Sequence, residues 1–212
     1  INSKGKMQKK NLNWFKILQI LVPIDRYLNN SGIHKAYKLL KSFYTGSKIL
    51  VFNKDLKAGY WSVPLAWEVS EAKLKSPGGK IIANYFRNPV EVMANSCSFV
   101  GKIKKKELIK HLNYDKRRPT ETLFHYRNQF REKIGEWGFS LPYNKVKKLP
   151  EGNYHVSIKT KLQKKNMLCA YYKKKGGIKD TLLLASHFDH PYQANDGIVG
   201  SIAAFEVIKS LT

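Results

Sequence analysis

One stretch constrains this chain more than any other: SHFDHPYQANDG, which runs from Ser186 to Gly197. It gathers His187, Asp189, His190, Asn195 and Asp196 between two strongly patterned apolar segments. TLLLAS before it has the length of one buried strand. In IVGSIAAFEVIKSL after it, Ile198, Ile202, Phe205 and Ile208 recur at helical spacing. Strand, polar loop and helix make the βα unit of an α/β sheet. Such sheets collect ligands at the carboxyl ends of their strands, where this loop would sit.

The residue types in the loop suit metal chemistry. An imidazole such as His187 at the mouth of a sheet is a frequent zinc ligand, although a lone histidine is more often a hydrogen-bonded structural residue. Asp189 changes that reading. A neighbouring carboxylate can hold the second imidazole nitrogen, which fixes the tautomer and raises ligand basicity. Asp196 has two readings. With Asn195 it can cap the following helix, or it can bridge two metal ions about 3.5–4 Å apart, with Gly197 letting the backbone pass close by. His190 stays open between metal, substrate and neither, and Pro191 stiffens the loop.

Earlier in the chain, Trp14, Ile17, Leu18 and Leu21 share one helical face that Pro23 ends. Ser31-Gly32 signals a second helix with a stripe of Ile33, Ala36, Tyr37, Leu40 and Phe43, and Lys48 to Phe52 reads as a strand. From residue 54 the texture turns aromatic and β-rich, with short runs at 80–86, 90–94 and 98–103. KIKKKELIKHL reads as a short helix with Leu108, Ile109 and Leu112 inward, and 114–138 as a loop and then a helix ending at Gly138. YHVSIKTKL alternates as a strand with one wet face. Met167–Tyr172 is a second strand and TLLLAS a third, all feeding the loop.

Composition narrows the function classes. The net charge is +24, yet only six of the 39 basic residues are arginine, the side chain suited to bidentate phosphate and base contacts. Lysine scattered along the whole chain describes solvated faces rather than a specific nucleic-acid surface. Cys97 and Cys169 stand alone, so no disulfide framework is expected, and both are read as buried thiols in a reducing, cytoplasmic setting. No stretch is long enough to span a membrane. The chain opens on Ile1 and closes on Thr212 inside a helical pattern, and we read it as a fragment of a longer reading frame.

The loop resembles the motif of the zinc aminopeptidase family: His-any-Asp after a core strand, then an Asp-Asn or Asp-Gly pair opening a helix. HPYQANDG is similar more narrowly to a bacterial aminopeptidase-like subgroup of uncharacterised function. YWSVPLAWEVSEAKL, NPVEV, the Leu108–Leu112 helix, EWGFSLP and EGNYHVSIKT follow that subgroup in order, so the likeness covers about residues 14–212. It implies an incomplete α/β peptidase-like domain made of 1–53 and a truncated 152–212, with a small β-rich domain inserted at 54–151. It implies His187 and Asp196 as metal ligands, Asp189 as the group orienting His187, and two zinc ions in a complete site. It also implies a general-base Glu, further ligands and often a winged-helix module beyond Thr212. Gly197 stands where the wider family usually has Asn, and Val199 where it often has Ser.

The expected function is a fragment of a two-zinc hydrolase acting on a peptide or amide-containing small substrate, inactive alone. The alternatives are a non-catalytic or glycan-pathway protein reusing the fold, and a basic nucleic-acid-binding module suggested by KIKKK, DKRR and KKK. The last lacks a stacking platform interleaved with arginine. Oligomeric state leaves no sign in the sequence. A sheet cut short would expose an edge and an apolar face, so poor solubility is expected.

Overall fold

A computed structural model describes residues 13–125 and 135–211. The chain forms two compact units, one made of Ile1–Pro64 and Lys165–Thr212, the other of Leu65–Lys164. In chain order, helices α1 (Trp14–Leu21) and α2 (Ser31–Phe43) precede strands β1 (Lys48–Phe52), β2 (Lys57–Ala58) and β3 (Trp61–Ser62). Then come β4 (Ala66–Lys75), β5 (Ile81–Asn84), β6 (Phe99–Lys104), the single turn α3 (Lys105–Leu108) and β7 (Leu112–Asn113). The chain continues with β8 (Phe139–Ser140), the turn α4 (Tyr143–Val146), β9 (Asn153–Gln163), β10 (Met167–Tyr171) and helix α5 (Val199–Ser210).

In the first unit the helices begin on asparagines. The Asn13 side chain accepts from the Lys16 amide at 2.9 Å, and that of Asn30 from the Ile33 amide at 3.0 Å. Each satisfies an amide that the helix leaves without a partner. The start of α2 is thus set by Asn30, with Gly32 serving a different need. A Cβ at Gly32 would lie 1.6 Å from the Asp25 carbonyl oxygen, so the Asp25 segment packs there only against glycine. Ile17, Leu21, Ile33, Ala36, Leu40 and Tyr44 then bury together with Phe188, Ile198 and Ile202 in one core.

The sheet in this unit differs from expectation. β1 pairs antiparallel with β10 alone, Leu50 opposite Cys169, and both side chains are exposed. Cys169 is therefore not a buried thiol, and Cys97 is partly exposed. TLLLAS is not a strand: Leu182 and Leu183 are 76% and 81% exposed, and no described strand pairs with 181–186. A buried parallel strand needs hydrogen-bonded neighbours and cover on both faces. Among the described residues neither is present, so the βα unit is realised as a loop and a helix only. The described sheets are small and antiparallel except for the two-residue β7–β8 pair, and the architecture is mixed α and β.

The second unit holds a four-stranded antiparallel sheet in the order β5-β4-β9-β6. β9, expected to run into the site loop, lies instead between β4 and β6. Its register sets Val156 against Leu74 and Ile158 against Ala72, which places four buried side chains on one face. Between β5 and β6 the run at 90–94 is a turn rather than a strand. Asn88 receives the Val90 amide, and the buried Glu91 carboxylate takes both the Asn84 amide and the Arg87 guanidinium. No helix runs into Gly138. The Cys97 amide donates to Glu136 O at 2.9 Å and the Met93 amide to Gly138 O at 3.0 Å, while Trp137 stacks against Phe99 and His111. The middle of that expected helix, the N-terminal tail and Thr212 lie outside the described residues. Leu108 and Leu112 are buried as expected, but Ile109 is exposed.

Candidate functional site

Two apolar anchors position the loop. Phe188 and Ile198 are buried in the first unit's core, and the Phe188 ring lies 5.0 Å from that of Tyr37. Burying a side chain of this size contributes about 1.5–3 kcal/mol. Ser201 Oγ donates to His187 O at 2.8 Å, and Ser186 Oγ to Gly197 O at 3.1 Å, which ties the first turn of α5 to the start of the loop.

With the main chain held inward, the polar side chains gather at the surface. His187 Nδ1 is 2.8 Å from Asp189 Oδ1, and His187 Nε2 is 2.9 Å from Asp196 Oδ1. His190 stands across the carboxylate, with Nε2 3.7 Å from Asp196 Oδ2 and Nδ1 3.9 Å from Asp189 Oδ2. One donor atom each from His187, Asp189 and His190 falls within a 4.8 Å cluster. The three residues singled out in the sequence thus sit together. His190, left open there, sits with them.

The side chains of His187 and Asp196 are 52% and 56% exposed. An ion pair so exposed contributes about 0–1 kcal/mol. Core burial of Phe188 and Ile198 outweighs it, so the anchors rather than the pair hold this geometry. The outer face of the pair is open to a ligand. Zinc ligands at about 2.0–2.1 Å from the ion stand roughly 3.3 Å apart in a tetrahedron, and the 2.9 and 3.7 Å separations bracket that edge. The donor set of imidazoles and a carboxylate fits a borderline-soft divalent ion.

The backbone is bent to achieve this. His190 and Tyr192 have φ of 71° and 57°, the left-handed region, at a cost of about 1–3 kcal/mol each for non-glycine residues. Gly197 has φ 98°, and a Cβ there would meet His187 Nδ1 at 2.8 Å and the His187 carbonyl at 3.0 Å. Glycine is required at this position twice over, by conformation and by the imidazole it faces. Asp196 is itself non-helical (φ −90°, ψ 95°), and no side chain caps α5. The geometry therefore does not follow the capping reading of Asp196.

One residue of this site left no mark in the sequence analysis. Arg26 is fully buried and donates to main-chain oxygens on both sides: Leu21, Val22 and Ile24 behind α1, and Phe188 and His190 in the loop. Burial lowers its pKa to about 10 against the opposing pull of Asp25 and Asp189. Only its rarity in a lysine-rich chain could have drawn attention to it.

The chain is similar to known proteins in sequence and in fold. Residues 66–161 match a family model described as a domain of unknown function, DUF2172. A Clostridium acetobutylicum protein named "putative polysaccharide biosynthesis protein with aminopeptidase-like domain" is 25% identical over 203 residues, covering 93% of this chain and 44% of that protein. A crystal structure titled "putative peptidase", from the same organism, superimposes with a TM-score of 0.83 at 22% identity, over 93% of this chain and 46% of that one. The chain spans less than half the length of either relative. At these identities the conclusion is one of architecture: the chain shares the fold of a protein titled as a peptidase and contains a region matching DUF2172.

Proposed function

We propose that this chain carries part of the centre of a zinc-dependent aminopeptidase-like hydrolase that cleaves a peptide or other amide bond. In this reading His187 would hold zinc, Asp196 would supply the carboxylate for a two-ion site, and Asp189 would orient His187. The observation that carries this reading is the chain of contacts from Asp189 through His187 to Asp196, at 2.8 and 2.9 Å. With Asp189 accepting from Nδ1–H, as carboxylates behind zinc-bound histidines do, Nε2 would be the ligating nitrogen and a metal would take the place of the proton between it and Asp196. His190 adds a third donor. When bound, zinc would polarise the scissile carbonyl and lower the pKa of its water to about 7.

Two imidazoles and one shared carboxylate are too few donors for two ions, and no described residue beside them is placed as a general base. We therefore propose that these 212 residues bind zinc weakly and hydrolyse nothing on their own. Zinc titration followed through the imidazole resonances tests this. His187→Ala should abolish the loop response, and Asp189→Asn should weaken binding about 10–100-fold. Tight stoichiometric zinc, or aminopeptidase turnover by this chain, would overturn the weak-binding part. An Asp189→Asn protein with unchanged affinity would overturn its orienting role.

A second reading is favoured by the polysaccharide-biosynthesis name of the Clostridium relative. In it the same fold serves a glycan pathway, with an N-acyl amide on a sugar as substrate, or with no catalysis at all. Assaying a longer protein containing this chain against aminoacyl amides and N-acyl sugars separates the readings by which bond is cut.

A further inference from the structure

We infer that Arg26 is the positioning residue of the ligand loop, a brace that shapes the loop before any metal arrives. The inference rests on the zinc reading for its two zinc-dependent measurements but not for the exchange of the Arg26→Lys protein.

Arg26 Nε donates to Phe188 O at 3.2 Å and Nη2 to His190 O at 2.6 Å. Two residues on, the Tyr192 amide donates to Val22 O at 3.2 Å, the same carbonyl that accepts from Arg26 Nη1 at 3.0 Å. Residues 188, 190 and 192 are thus gripped in alternation by their main chain. No side chain of the cluster is consumed, and Asp189 remains on His187 while His190 reaches toward Asp196.

The left-handed φ at His190 accompanies this grip, with the carbonyl bonded to Arg26 while the ring stands beside the carboxylates. A residue so strained persists only where its surroundings over-determine it, and Arg26 is the observed restraint. The guanidinium is suited to the task because its five donors diverge in one plane, whereas an ammonium presents a single point. Here that fork joins carbonyls beside Arg26 in the chain to those of Phe188 and His190, 162 and 164 residues further on.

A merely structural role, capping the free carbonyls at the end of α1, is the competing account. Three measurements on the full chain separate them. In the zinc-free wild-type protein, the Tyr192 amide should exchange as slowly as it does with zinc present. Exchange at the rate of an open loop, slowed only by zinc, would overturn the proposal. In Arg26→Lys, which keeps the charge and loses the fork, that amide should exchange at least tenfold faster while the core amides of α2 hold their protection. Equal acceleration throughout, or none in the loop, would return Arg26 to a general structural role. Zinc affinity of the folded Arg26→Lys protein should fall about tenfold, within the range seen when groups behind metal ligands are altered. Wild-type affinity in that variant would also overturn the proposal. If instead wild type and His187→Ala respond to zinc alike, the zinc reading fails, and the Arg26→Lys exchange measurement alone still decides the brace.

Discussion

Strand β9 holds four apolar residues in eleven and the segment 181–186 four in six, yet it is the less apolar of the two that is buried. In β9, Val156 and Ile158 are buried because β4 and β6 pair with it on both edges, register bringing Leu74 and Ala72 alongside. In 181–186, Leu182 and Leu183 lie exposed, with no described strand beside them. An apolar run stabilises a fold only where something removes it from water. The hydrophobic contribution follows the area buried, about 25 cal/mol per Å², not the residue type.

The sharpest test of this comparison is a pair of truncations. Ile158→Ala should cost about 2–5 kcal/mol through lost burial and a residual cavity, whereas Leu183→Ala should change stability by less than about 0.5 kcal/mol. Denaturant midpoints measure both, and a large loss at Leu183 would mean that the segment is buried in solution. Next comes the site loop, which borrows its order from the core. Gly197→Ala should cost more than about 1 kcal/mol, because alanine must adopt φ 98° and its Cβ meets His187 Nδ1. The His187 resonances should shift with it, and a neutral substitution would show that the backbone there is not left-handed.

The smallest effect is an alkaline pH dependence to which buried tyrosines of the first unit contribute. Burial raises the pKa of Tyr37, helped by Cys169 and Asp189, and burial raises that of Tyr44, helped by Glu206. A phenol whose folded pKa exceeds its unfolded value of 10 gives stability that is complete below pH 10 and lost above it. Arg26 acts oppositely, since a cation with a lowered folded pKa favours folding as pH rises above about 10. Alkaline titration of thermal stability should fall above pH 10, and less steeply in Tyr37→Phe.

Much of the local structure was legible because it depends on nearby residues. The α2 stripe of Ile33, Ala36 and Leu40 is a period-3.6 pattern, and it is buried as a stripe. The closeness of His187 and Asp189 follows from their spacing on an extended loop. TLLLAS failed the same kind of reading because apolar length alone cannot say whether a neighbouring strand is present. The run into Gly138 failed because Met93 and Cys97 claim its carbonyls.

By itself the sequence determined the helix faces and which polar side chains the loop carries, while the need for glycine between Asp196 and Ile198 came from the positive φ and the imidazole it faces. Only the tertiary structure decided that β9 belongs to the second unit's sheet, that His190 joins His187 and Asp196, and that Arg26 grips the loop. The physical reason is that strand pairing and the Arg26 grip use main-chain atoms, while the side to which the His190 ring turns follows from a left-handed backbone at that residue. A carbonyl accepting from Arg26 is chemically the same at every residue, so nothing in the order of side chains announces which one will be chosen.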